Sequence, residues 1–177
     1  MSNKSSDTLF QLIKSLDKAE KRNLKLFVKR SHSSESMKSI QLFDALDKMN
    51  DYDEKILLKK VPSVSNTKAL LYKQILGSLR SLKVYTNIDI QLREMQDYAR
   101  ILYNKGLYMQ ALKILDKVKD IAKTYNQYTY IQQALFFEKK IEALYITRSL
   151  QNRADILSGE ADEVNTLLRN TSRLSNL

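Results

Sequence analysis

A chain of 177 residues with no cysteine, three glycines and one proline has no disulfide framework, no thiolate zinc site and no cysteine nucleophile. Its 30 Lys and Arg against 20 Asp and Glu give a net charge of +10, and 17 of the cations against 10 of the acids fall in residues 1–90. Such a surplus can attract nucleic acid, anionic lipid or an acidic partner, but it concerns association rather than fold.

Scarce glycine and proline, abundant Leu, Lys, Ile and Ala, and the lack of alternating β-branched runs predict an all-α protein. Residues 1–6 are polar and lack the apolar core of a signal peptide, and no run of 18 apolar residues exists. The expectation is a soluble, cytoplasmic protein with no membrane insertion.

In chain order, Ser6 or Asp7 can cap a short first helix whose Leu9, Phe10, Ile13 and Leu16 point one way. Asp17 and Glu20 stand at capping-box spacing for a second helix ending near Arg30, with Leu24, Phe27 and Val28 on its core side. Ser31–Ser36 reads as a mobile polar linker. A third helix over Met37–Met49 presents Ile40, Leu42, Phe43 and Leu46. Acidic Asp51, Asp53 and Glu54 suit the start of a short fourth helix, which Pro62 ends. Ser65 or Asn66 then caps a fifth, to about Lys83, carrying Leu71, Ile75, Leu79 and Leu82. A break near Thr86 divides a five-helix module, residues 1–85, from a module of about four helices, residues 86–177.

In the second module, Ile88, Leu92, Met95, Ala99 and Leu102 recur at helical spacing, as do Ala111, Leu115, Val118, Ala122 and Tyr125. Lys113, Asp116, Lys117 and Asp120 lie on other, wet faces. Two stripes joined by a short link at Gly106 must face each other, and glycine suits the left-handed residue that ends a helix. Tyr128 to about Leu150 forms the next helix, with Tyr130, Ile131, Ala134, Leu135, Phe137, Ile141, Leu144 and Tyr145 over a wide arc that implies neighbours on both sides. Asn152 caps the last, with Ala154, Leu157, Ala161, Val164 and Leu168 inward, and Asn170–Leu177 should fray.

Ala99, Leu102, the Gly106-Leu107-Tyr108 turn, Ala111, Leu115 and Val118 together resemble a tetratricopeptide repeat, over about one repeat. The resemblance implies antiparallel α-hairpins in a right-handed array, Tyr108 wedging the turn. It also implies a groove lined by the first helix of each pair, here Arg93, Gln96, Arg100, Tyr103 and Asn104, with Ile131 and Leu135 among the corresponding places in the next hairpin. The opening, LFQLIKSLDKAEKRNLKLF, is similar to that of larger uncharacterised bacterial helical proteins, which implies the front portion of a longer solenoid.

Lys18, Lys21, Arg22, Lys25 and Lys29 share one helical face, either a phosphate-tracking stripe or a solvated side. A helix-turn-helix reading fails at Ala69, Leu70 and Leu71, apolar where base-reading residues should stand. His32, the one histidine, lies among serines without a positioned partner. Asp51, Asp53 and Glu54 do not make a calcium loop, because Ile56 and Pro62 occupy its sixth and twelfth places. The tyrosines, notably Tyr98, Tyr103, Tyr108, Tyr125, Tyr128, Tyr130 and Tyr145, suit interhelical packing with hydroxyls reaching solvent.

With no phosphate loop, nucleophile elbow, zinc-helix pair or dinucleotide fingerprint, the reading is non-catalytic, without cofactor or metal. The function expected is a protein–protein interaction scaffold binding a peptide or partner helix, acidic by charge, in the groove. The alternative is a nucleic-acid-associated protein using the basic stripe.

Overall fold

The computed structural model describes residues 7–30, 34–54, 57, 64–145 and 151–174, and among them every regular element is helical. Among the described residues eight α-helices have both ends placed: α1 (Thr8–Ser15), α2 (Lys18–Lys29), α3 (Ser34–Lys48), α4 (Val64–Lys83), α5 (Ile88–Asn104), α6 (Tyr108–Thr124), α7 (Tyr128–Glu142) and α8 (Gln151–Leu174). The chain divides into two compact units, Met1–Lys83 and Val84–Leu177, each with its own apolar core. None of the described helices is long and apolar enough to cross a membrane.

In the first unit, the Asp7 carboxylate accepts from the Phe10 amide and starts α1. Two residues later than the end of α1, Asp17 and Glu20 close a reciprocal capping box that starts α2. The connection is two residues long, Leu16 and Asp17, and Leu16 is buried. Leu9, Ile13, Leu24, Val28, Leu42, Phe43, Leu46, Leu57, Leu71 and Ile75 fill the core, where α4 packs on both α2 and α3. Gly77 lets α2 approach: a Cβ there would stand 3.2 Å from the Phe27 ring.

Three expectations change here. The SHSSES stretch is not all linker, since α3 begins at Ser34 and buries Ser36 and Ser39 on the face of Phe43 and Leu46. Small side chains occupy a tight helix contact there, which composition alone reads as a loop. Val64 starts α4 before the expected caps, leaving Ser65 and Asn66 exposed inside its first turn, and Leu82 is exposed. Most of the expected fourth helix, with Pro62, lies outside the described residues, as does His32. Leu57 is described and buried.

In the second unit, α5, α6, α7 and α8 pack each on the next, and α5 also touches α7. Two links of three residues set this arrangement. After α5, Gly106 takes φ +75°, its N–H donates to the Tyr103 carbonyl, and the Leu107 N–H donates to Leu102. After α6, Asn126 takes φ 55°, its N–H donates to Lys123, and the Gln127 N–H donates to Ala122. Both are the same paired-bond helix terminus, with Asn doing at 126 what Gly does at 106. One helix with its link spans about twenty residues, so a pair spans about forty, longer than the roughly 34 of a tetratricopeptide repeat.

Ala111, Leu115, Val118 and Ala122 are fully buried, whereas Tyr125 is exposed because the α6 terminus turns it outward. The α7 helix stops at Glu142 and passes into a 3₁₀ turn, Ala143–Tyr145, rather than running to Leu150; Leu144 is exposed and residues 146–150 lie outside the described residues. Its sandwiching between α6 and α8 agrees with its wide apolar arc. The last helix starts at Gln151, so Asn152 is within it rather than its cap, and it continues to Leu174. Polar residues 170–173 contain no breaker, and the Thr171 hydroxyl donates back to the Leu167 carbonyl.

Gly106 and Gly159 test this account with opposite signs, since a Cβ has open space at both. Gly106→Ala should cost about 1–2 kcal/mol through the left-handed backbone. Gly159→Ala, inside α8, should add about 0.5–1 kcal/mol. Urea unfolding midpoints of the two variants measure this.

Candidate functional site

On α5, Arg93, Gln96, Arg100 and Tyr103 recur at steps of three and four and form one face. Because α5 touches α7, that face meets Gln133, Phe136, Phe137 and Lys140 of α7. The Arg100 guanidinium lies over the Phe137 ring, 4.0 Å from its centroid, and the Lys140 ammonium lies 5.2 Å from the Tyr103 centroid. Tyr103 meets Phe137 edge to face at 5.4 Å, and Tyr108 from the other side at 5.4 Å. Cations and rings thus alternate across the two helices. Positive charge is attracted to the ring face, so each ring helps to position its cation.

Beside this stack lies a cleft of about 490 Å³ lined by Gln96, Arg100, Gln133, Phe136, Phe137 and Lys140, with Leu115 of α6 beneath. Phe136 is 60% exposed there, and among the described residues no acidic side chain lines the space. At one side the Arg93 guanidinium donates to the Tyr130 hydroxyl and the Gln96 amide to the Tyr130 carbonyl, each at 3.4 Å. The Tyr130 hydroxyl donates in turn to the Asp89 carbonyl at 3.2 Å. The arrangement offers amide donors, two cations and an open aromatic face.

Gln96 and Arg100 therefore line the cleft, Arg93 and Tyr103 flank it, and Asn104 is exposed at the end of α5 outside its lining. Ile131 and Leu135 do not face it: both are core residues, 2% and 1% exposed. The α7 residues that do face it are offset by one or two positions, a rotation that apolar spacing alone does not resolve. Among the tyrosines, Tyr98 and Tyr125 stand out in solvent, while Tyr130 is buried and Tyr103, Tyr108 and Tyr128 pack partly on the core.

The basic stripe of α2 is divided. Lys21 pairs with Asp47 and Lys25 with Asp44, both at 2.7 Å on α3, and Lys25 also lies over Phe43. Lys18, Arg22 and Lys29 remain exposed. Elsewhere in this unit Lys68 bridges the Asp7 carboxylate and the Tyr52 hydroxyl. Burial works against the charge on Lys68, but its hydrogen bonds to Asp7 and Tyr52 prevail and hold its pKa above the ordinary value, so it stays an ammonium tie rather than a reactive amine. Among the described residues no group of three His, Cys, Asp or Glu could hold a metal ion.

A second charged cluster lies within the core. Lys119 of α6 is 6% exposed, and its ammonium meets Glu138 of α7 at 2.8 Å, Asp116 of α6 at 3.2 Å and Glu160 of α8 at 3.7 Å. Glu138 is fully buried, and burial pushes its pKa up to about 7 against the opposing pull of Lys119. Lys119 itself is held above its ordinary value: burial opposes the charge, and the bond to Glu138 outweighs it. Neither residue stands out by type; the available signal is position, since Lys119 follows Val118 on the buried arc and Glu138 sits between Phe137 and Ile141.

Replacing Lys119 by Met should strand Glu138 and cost about 3–5 kcal/mol, whereas adding Glu138→Leu to that variant should recover most of the loss. Urea unfolding of the single and double variants measures it. No family model, curated protein or solved structure matches the chain.

Proposed function

We propose that this chain is a non-catalytic interaction scaffold, acting in the cytoplasm, whose α5–α7 cleft receives a peptide or partner helix. The observation that carries the reading is an open cleft holding Arg100 and Lys140 against aromatic rings, beside exposed Phe136. Their charge favours an acidic segment, which would make charge-assisted hydrogen bonds to both cations and lay an apolar side chain on Phe136. The tetratricopeptide-like reading draws support from small Ala99 and Ala111 buried between α5 and α6, and from the turn at Gly106.

The test is an array of twelve-residue peptides spanning net charge from acidic to basic, probed with the full chain. Acidic peptides bearing a Leu or Phe should bind, and Arg100→Glu with Lys140→Glu should weaken them at least tenfold. Lys21→Glu, Arg22→Glu and Lys25→Glu together should leave that binding in place. Equal binding by the charge-reversed cleft variant would overturn the proposal.

A further inference from the structure

Among the described residues, the charged side chains lining the α5–α7 cleft are Arg100 and Lys140, and both are exposed. They rest on adjoining rings: the Arg100 guanidinium lies 4.0 Å from the Phe137 centroid and the Lys140 ammonium 5.2 Å from that of Tyr103, with the two rings edge to face at 5.4 Å. A ring attracts a cation through its quadrupole but neutralises none of its charge. The cleft therefore holds two positive charges whose N–H donors suit an oxyanion. A carboxylate brings a single negative charge, whereas a phosphate monoester brings nearly two at neutral pH and one more acceptor oxygen. Charge complementarity thus favours the phosphate.

The second feature is the position of Phe136. It is 60% exposed and precedes Lys140 by one turn on the same face of α7. At that spacing the two side chains leave the helix about 5–6 Å apart. An aromatic ring with an anion at its far end fits such a pair, ring against ring and anion against ammonium. A phosphorylated serine has no ring to lay on Phe136. The cleft volume of about 490 Å³ suits one large side chain rather than a length of helix.

We infer that the group received by the cleft is a phosphotyrosine side chain of the partner peptide, with its phosphate between Arg100 and Lys140 and its ring on Phe136. The inference rests on the peptide-binding role proposed above and names the residue that the cleft takes. Arg100 makes the bidentate contact, since its guanidinium is planar and Phe137 helps to set its position. Lys140 supplies the second charge, and exposed Gln133 offers an amide to the peptide backbone.

One acidic twelve-residue peptide bearing a leucine, made with tyrosine, glutamate, phosphoserine or phosphotyrosine at its centre, is titrated with the full chain by fluorescence anisotropy. The phosphotyrosine form should bind roughly tenfold or more tighter than the glutamate form, with the phosphoserine form between them. Arg100→Ala should remove that advantage. Phe136→Ala should bring the phosphotyrosine form down to the phosphoserine form and leave the latter unchanged. In the unmodified chain, phenyl phosphate should displace the phosphotyrosine peptide at concentrations where inorganic phosphate does not. Equal binding of the glutamate and phosphotyrosine forms overturns the inference and leaves the peptide-binding role standing, whereas binding of none of the four ends both. Equal displacement by inorganic phosphate, or no effect of Phe136→Ala, overturns the assignment to tyrosine.

Discussion

The second unit depends on how its chain reverses. At Gly106 and again at Asn126 a left-handed residue lets two backbone N–H groups return to the carbonyls that end the preceding helix. Nothing in those links has room to vary, because each is three residues long and both its bonds are made. Two like reversals bring α7 back beside α5 with α6 beneath them. Contact between alternate helices is therefore a consequence of the turns, and the cleft is what that contact leaves open.

The α7 helix serves two surroundings at once. One side presents Gln133, Phe136 and Lys140 to the cleft, and the other sends Glu138 to Lys119. Ile131, Leu135 and Ile141 fill the core between. A helix with neighbours on both sides cannot shed polar groups into water wherever they fall. Each polar side chain must find a partner or a gap, and Glu138 and Lys140 show the two solutions. Glu138 is buried against an ammonium, while Lys140 rests its charge on the Tyr103 ring and stays exposed.

The first unit is held differently. Its first two helix starts carry their own caps, Asp7 for α1 and Asp17 with Glu20 for α2, and some of its lysines are tied to carboxylates within the unit. Lys21, Lys25 and Lys68 each reach a carboxylate on another helix or at its cap. A charge surplus counted along the chain thus overstates the cationic face of α2, since acids on α3 are brought against two of its five lysine and arginine positions. Ion pairs at partly exposed sites contribute modestly to stability, but they do redistribute surface charge.

By itself the order of residues determined the helical class, the capping box at Asp17, the reversal at Gly106 and the buried run Ala111, Leu115, Val118 and Ala122. These depend on near neighbours: a cap acts over three residues, and apolar side chains three or four apart share a face whatever lies opposite. Gln96 and Arg100 follow as groove positions only from the tetratricopeptide resemblance, which assigns the groove to the first helix of a pair, here α5. Only the tertiary structure decided which side of α7 meets them, that Ile131 and Leu135 are buried, and that Lys21 and Lys25 have acidic partners on α3. It alone placed Lys119, Glu138 and Glu160 together, for those contacts join different helices, and no local rule carries the angle at which one helix packs on another.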